Sequence, residues 1–178
     1  MKLVREHINF QRGLDPKAAM SIGTRAQIKK WFDDLNIDPN NYIINPDLSV
    51  EYKENLNLSN TPITSLPDNL RVEGSLVLRN TKITSLPDNL SVGGYLDLEN
   101  TKITSLPDNL SVKGGLYLSN TQITNLPDNL SVEGNLWLSN IQITRLPDNL
   151  SVNGDLYLSN TKITSLPDNL SVKGNIFD

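Results

Sequence analysis

The chain has no cysteine, one histidine (His7) and two tryptophans among its 178 residues. The missing thiols exclude a disulfide framework and thiolate-bound metals. A single imidazole leaves little scope for histidine-based acid–base or zinc chemistry. No apolar run approaches the roughly 18 residues that a membrane-spanning helix requires. The opening Met1-Lys2-Leu3-Val4-Arg5-Glu6-His7 is too polar for a secretory signal. A basic stripe is lacking as well. Residues 1–50 carry 7 Lys/Arg against 6 Asp/Glu, a net of +1, and residues 51–178 carry 9 against 14, a net of −5. An acidic array without clustered cations argues against nucleic acid as the main partner. Composition therefore predicts a cytoplasmic chain, or one delivered without the general secretion route, with no membrane contact, metal or cofactor.

What the chain does have is repetition. Ile83-Thr84-Ser85-Leu86-Pro87-Asp88-Asn89-Leu90 returns as Ile103 to Leu110 and four more times, unchanged or with one residue varied, at a spacing of twenty residues. A period of this size is the signature of a solenoid, in which stacked coils share one interior and none can bury its aliphatics alone. In Gly134-Asn135-Leu136-Trp137-Leu138-Ser139-Asn140, Leu136 and Leu138 alternate with Asn135, Trp137 and Ser139, which predicts a strand with leucines inward and the others outward. The same pattern runs from Leu56/Leu58 to Ile176-Phe177 and gives seven parallel strands about 4.8 Å apart. Ile143, Leu146, Leu150 and Val152 supply the inward residues of the return path. Pro147-Asp148-Asn149 predicts a turn or one-turn 3₁₀ segment on the outer arc. The glycines from Gly74 to Gly174 are expected to take positive φ before each strand. The expected fold is thus an α/β solenoid, mostly β.

The run Leu-x-Leu-x-Asn-Thr-x-Ile-Thr-x-Leu-Pro-x-x-Leu resembles a leucine-rich repeat of the short, twenty-residue type found in bacterial and bacteriophage proteins, over residues 55–178. That family places a buried asparagine ladder where this chain has Thr61, Thr81, Thr101, Thr121 and Thr161; Asn60 to Asn160 stand one place earlier. The threonine hydroxyls are expected to bond the backbone of the neighbouring coil. Ile141 breaks that series, so its repeat should lack one bond.

Ahead of the array, Thr24-Arg25-Ala26-Gln27 reads as a capping box opening an amphipathic helix over 25–35, with Ile28, Trp31, Phe32 and Leu35 at helical spacing. Tyr42-Ile43-Ile44, a turn at Asn45-Pro46-Asp47 and Ser49-Val50-Glu51-Tyr52 predict a hairpin. Helix and hairpin, over 24–54, would cover the first coil of the array. Residues 1–23 form a separate arm, in which Asp15 and Pro16 could open a short helix. The arm resembles the leaders of uncharacterised phage leucine-rich-repeat proteins. Either it is a loosely docked terminus, or Phe10, Arg12, Asp15 and Lys17 belong to a docking segment that fastens the array to a larger assembly such as a virion.

Within the array, the Leu, Ile, Pro, Asp and Gly columns barely vary, and variation concentrates on the outward side of the strands. The middle outward column reads Asn57, Val77, Asp97, Tyr117, Trp137, Tyr157, Phe177. Four consecutive aromatics with small or polar flanks predict a contiguous apolar stripe that anchors a partner. Cross-strand packing of the same rings is the structural alternative. Tyr95, Asp97, Tyr117, Trp137, Tyr157 and Phe177 are the candidate partner-binding residues, with Arg79, Asp97 and Glu99 making one half of the face charged. The Asp68, Asp88, Asp108, Asp128, Asp148, Asp168 column could share calcium, but each aspartate also sits where a turn wants an acceptor. Asp97 and Glu99 are the nearest approach to a carboxylate pair for hydrolysis, and an open ribbon excludes little water.

These features predict a non-enzymatic, protein-binding module; by the resemblance it would be phage-encoded and work in a bacterial cytoplasm. A virion component tethered by residues 1–23, and a carbohydrate-binding surface with sugars stacked on the aromatics, are the alternatives. The last strand, Ile176-Phe177, predicts an open edge through which two copies could pair.

Overall fold

The computed structural model describes residues 23–178, so Phe10, Arg12, Asp15 and Lys17 lie outside the described residues. Those described build a parallel β-solenoid of about six turns, one coil per twenty residues. Each coil places a two-residue strand on one face: Leu56–Asn57, Leu76–Val77, Leu96–Asp97, Leu116–Tyr117, Leu136–Trp137, Leu156–Tyr157 and Ile176–Phe177. These pair in parallel, in a register of one full repeat, as a seven-stranded sheet. Alternation does what the pattern predicts: Leu136 and Leu138 are fully buried while Trp137 lies outward and half-buried.

The return path holds a second sheet that hydropathy alone did not reveal. Val50–Tyr52, Leu70–Val72, Ser91–Val92, Ser111–Val112, Ser131–Val132, Ser151–Val152 and Ser171–Val172 pair in parallel, and Tyr42–Ile44 adds antiparallel to the first of them. The proline turn expected beside it is present, closed by Leu150 N–H donating to the Pro147 carbonyl at 3.2 Å. Two-residue strands give no readable alternation, which is why Ser-Val passed for simple return chain.

Two expectations about the corners are corrected. The glycines do not carry the left-handed backbone; the asparagines do, with Asn60, Asn80, Asn100, Asn120, Asn140 and Asn160 at φ between 57 and 61°. Asparagine tolerates that region better than other side chains, and Asn80 Nδ2 donates to Asn60 Oδ1 at 2.9 Å, as Asn160 does to Asn140. Glycine is needed for approach. A Cβ on Gly114 would lie 2.7 Å from both the Gly94 carbonyl carbon and the Tyr95 nitrogen, and Gly114 N–H donates to the Gly94 carbonyl at 2.9 Å. The threonines also work differently from expectation. Thr81 and Thr101 donate to Leu78 and Leu98 of their own coil at 2.7 Å, and Thr121 to Leu118 at 2.8 Å, closing a turn instead of bridging coils. Ile141 offers no hydroxyl for this bond and is fully buried in its place.

The N-terminal elements form as read. Helix α1, Arg25–Asp34, starts at Thr24, whose hydroxyl accepts from Gln27 N–H at 3.2 Å. Ile28 and Phe32 are buried in the same core as the coils, and Phe32 stacks on Tyr42 of the hairpin at 3.9 Å and 11°. At the far end the core thins. Leu166, Ile176 and Phe177 are exposed, whereas Leu146 and Leu156 of the preceding coil are buried. No helix among the described residues is long and apolar enough to cross a membrane.

Candidate functional site on the strand face

Parallel strands in exact repeat register set every outward side chain directly over its equivalent in the next coil. For a ring, the strand spacing of about 4.8 Å is close to stacking distance. The rings do stack. Tyr117 and Trp137 lie 5.8 Å apart at 13°, Trp137 and Tyr157 3.6 Å at 7°, and Tyr157 and Phe177 4.8 Å at 11°. Tyr117, Trp137 and Tyr157 are half-buried against one another, while Phe177 remains exposed. Rings stacked face to face leave their rims, not their faces, for solvent. That geometry offers a partner a narrow apolar ridge and gives a sugar no free face along the middle of the column.

The ridge has a polar defect of its own. Trp137 Nε1 is buried and has no hydrogen-bond partner among the described residues, at a cost of about 1–3 kcal/mol. Two stacking neighbours therefore hold the indole, with no hydrogen bond assisting. Small flanks make room for the rings: a Cβ on Gly115 would sit 3.2 Å from Tyr117 Cε2, so that ring leans over the glycine.

A second set of outward residues is structural. Along the flank of the sheet, the side chain of one coil accepts from the backbone N–H of the next. Asn55 Oδ1 accepts from Ser75 N–H at 2.7 Å, Ser75 Oγ from Tyr95 N–H at 3.2 Å, Asn135 Oδ1 from Asp155 N–H at 2.8 Å, and Asp155 Oδ1 from Asn175 N–H at 2.8 Å. Tyr95 and Gly115 occupy the two intervening places and offer no such acceptor. The sequence reading took these flanks only as small or polar beside the aromatics and missed this ladder. Its signal was present in the run of short polar residues at 55, 75, 135, 155 and 175.

Ahead of the aromatics the face is charged, but not freely so. Arg79 Nε donates to Asp97 Oδ2 at 2.7 Å, and Arg79 Nη2 to Glu99 Oε2 at 2.6 Å. Asp97 was expected outward and solvated; it is 4% exposed, closed over by Arg79, with its other oxygen accepting from Glu99 N–H at 3.0 Å. Burial, reinforced by Asp97, pushes the Glu99 carboxyl above its ordinary pKa, against the opposing pull of Arg79. A shallow depression of about 570 Å³ lies here, lined by Asn57, Ser59, Val77, Arg79, Tyr95, Asp97 and Tyr117. Tyr95 meets Tyr117 edge to face, 5.7 Å and 75°. The structure thus brings all six candidate binding residues onto one face, five as rings each in contact with the next, and Asp97 on the strand beside Tyr117 under Arg79. Among the described residues, no group of three or more His, Asp or Glu is placed to share a metal ion.

Compared with family models and with curated proteins, the sequence matches none.

Proposed function

We propose that this chain is a non-enzymatic binding module of the short leucine-rich-repeat type, phage-encoded by its resemblance, that holds a protein partner on the strand face. The observation that carries this reading is the aromatic ridge. Five rings in contact face outward: Tyr117, Trp137, Tyr157 and Phe177 in a column whose other members are Asn57, Val77 and Asp97, and Tyr95 beside it on the flank. Strand pairing alone is achieved at those three positions without any ring. Aromatic side chains bring large contact area at low entropic cost and dominate protein–protein contacts.

The test must leave the stack intact. Ser139 flanks Trp137 and is half-buried at the surface, so Ser139→Arg sets a long charged side chain beside the ridge without removing a ring. A partner identified with the unaltered chain should bind this variant at least about tenfold more weakly, the loss of one central contact. The melting temperature should be unchanged. Equal affinity would refute the strand face as the binding surface.

A further inference from the structure

The aromatic column stops at Asp97, and three independent features meet there. The flank ladder of side chain to backbone bonds is interrupted at Tyr95 and Gly115, so both positions are released from the structural duty that Asn55, Ser75, Asn135 and Asp155 perform. The stack ends in the edge-to-face pair of Tyr95 and Tyr117, whereas the other pairs are parallel. In such a pair one ring keeps a face that no other ring covers, and Tyr95 is 42% exposed. Finally, two carboxylates share one guanidinium, leaving an excess of one negative charge beside those rings. Tyr117 feels that charge: burial first, then Tyr95, Asp97 and Glu99, hold its hydroxyl above the usual pKa.

We infer that the depression between Arg79, Tyr95, Asp97 and Tyr117 receives a cationic side chain, arginine or lysine, presented by the protein partner. This deepens the strand-face reading and rests on it. An aromatic face is the negative pole of the ring and attracts a cation. The uncompensated carboxylate charge acts in the same direction, and so does the net charge of −5 over residues 51–178. Val77 is part of the lining and offers apolar surface on which the methylene stem of either side chain can pack. An anionic group would meet the wrong sign, since Nε and one Nη of Arg79 are already committed to carboxylates. The partner would thus carry a basic residue at one end of an apolar segment, with the apolar part along the ridge.

The test titrates the full ¹⁵N-labelled chain with N-acetyl-arginine amide, N-acetyl-lysine amide and uncharged N-acetyl-glutamine amide, reading backbone amide shifts by NMR. The two cations should move Tyr95, Asp97, Glu99 and Tyr117 saturably, and the glutamine compound should not. Glu99→Gln removes the excess charge while keeping the Arg79–Asp97 pair, and should weaken the cations about fivefold or more. Absence of saturable shifts, equal shifts from the glutamine compound, or unchanged affinity in Glu99→Gln would each overturn the inference. Failure of the broader reading shows elsewhere, in an undiminished affinity of Ser139→Arg, which leaves this depression untouched. A partner sensitive to Ser139→Arg but indifferent to Glu99→Gln would uphold the strand face and refute the cation site.

Discussion

Trp137 allows stacking and hydrogen bonding to be separated in one position. Replacing it by phenylalanine keeps a ring between Tyr117 and Tyr157 and removes the buried, unpaired Nε1. Relief of that donor is worth about 1–3 kcal/mol, while the smaller ring loses contact equivalent to one or two methylenes, about 0.8–1.6 kcal/mol. Trp137→Phe should therefore lie between about 0.6 kcal/mol less and about 2 kcal/mol more stable than the parent. Trp137→Ala loses both stacks, about 0.5–1.5 kcal/mol each, together with most of the buried ring area, which outweighs relief of the donor. It should fall at least about 2 kcal/mol below the phenylalanine variant. Urea unfolding followed by far-ultraviolet circular dichroism reads both, with unchanged slopes expected for the same exposed surface. If phenylalanine cost as much as alanine, the indole N–H would have to be bonded and the stack would not be what holds the residue.

Four further outcomes can be checked separately. Gly114→Ala drives a Cβ into the Gly94 and Tyr95 backbone, and should cost about 1–3 kcal/mol or more in a urea titration, because no flexible side chain can yield. Ile141→Thr restores the hydroxyl that its equivalents donate to their own coil; a hydrogen bond of about 1 kcal/mol offsets most of the lost aliphatic contact, so the melting temperature should move by only a few degrees. Glu99→Gln tests the electrostatics of the charged end by linkage. Because burial and Asp97 raise the folded pKa of Glu99, its favourable contribution is present below the ordinary carboxylate range and lost as pH rises through the folded value. The variant should hence match or exceed the parent in thermal stability at neutral pH, with parent and variant converging in acid. Finally, pairing of two copies through the exposed Leu166, Ile176 and Phe177 would appear in light scattering as a mass that rises with concentration, and a constant monomer mass would refute it.

The strand face was legible because its period is long and its chemistry simple. Leucine at alternate positions fixes which side chains turn outward, and identical spacing fixes that they coincide from coil to coil. The ring column followed from those two facts. What sequence reasoning missed depends on distances between coils that no pattern of letters encodes. The glycine column reads equally well as a need for positive φ or for close approach, and only the separation of Gly94 from Gly114 decides between them. The threonine hydroxyl donates to the carbonyl three residues back in its own coil, a choice of acceptor that the threonine column by itself does not specify. Asp97 looked solvated because its column is outward; a neighbouring arginine from the previous repeat closes over it.

The flank ladder bears on how arrays of this kind can change length. A duplicated unit inserted between Asn135 and Asn175 would carry its own short polar acceptor and find a waiting amide on the adjoining unit. The same duplication across Tyr95 and Gly115 would copy a gap. Lengthening is thus cheap toward the C-terminal half and costly around the charged end, so the aromatic ridge can grow or shrink by whole coils while the charged end stays put.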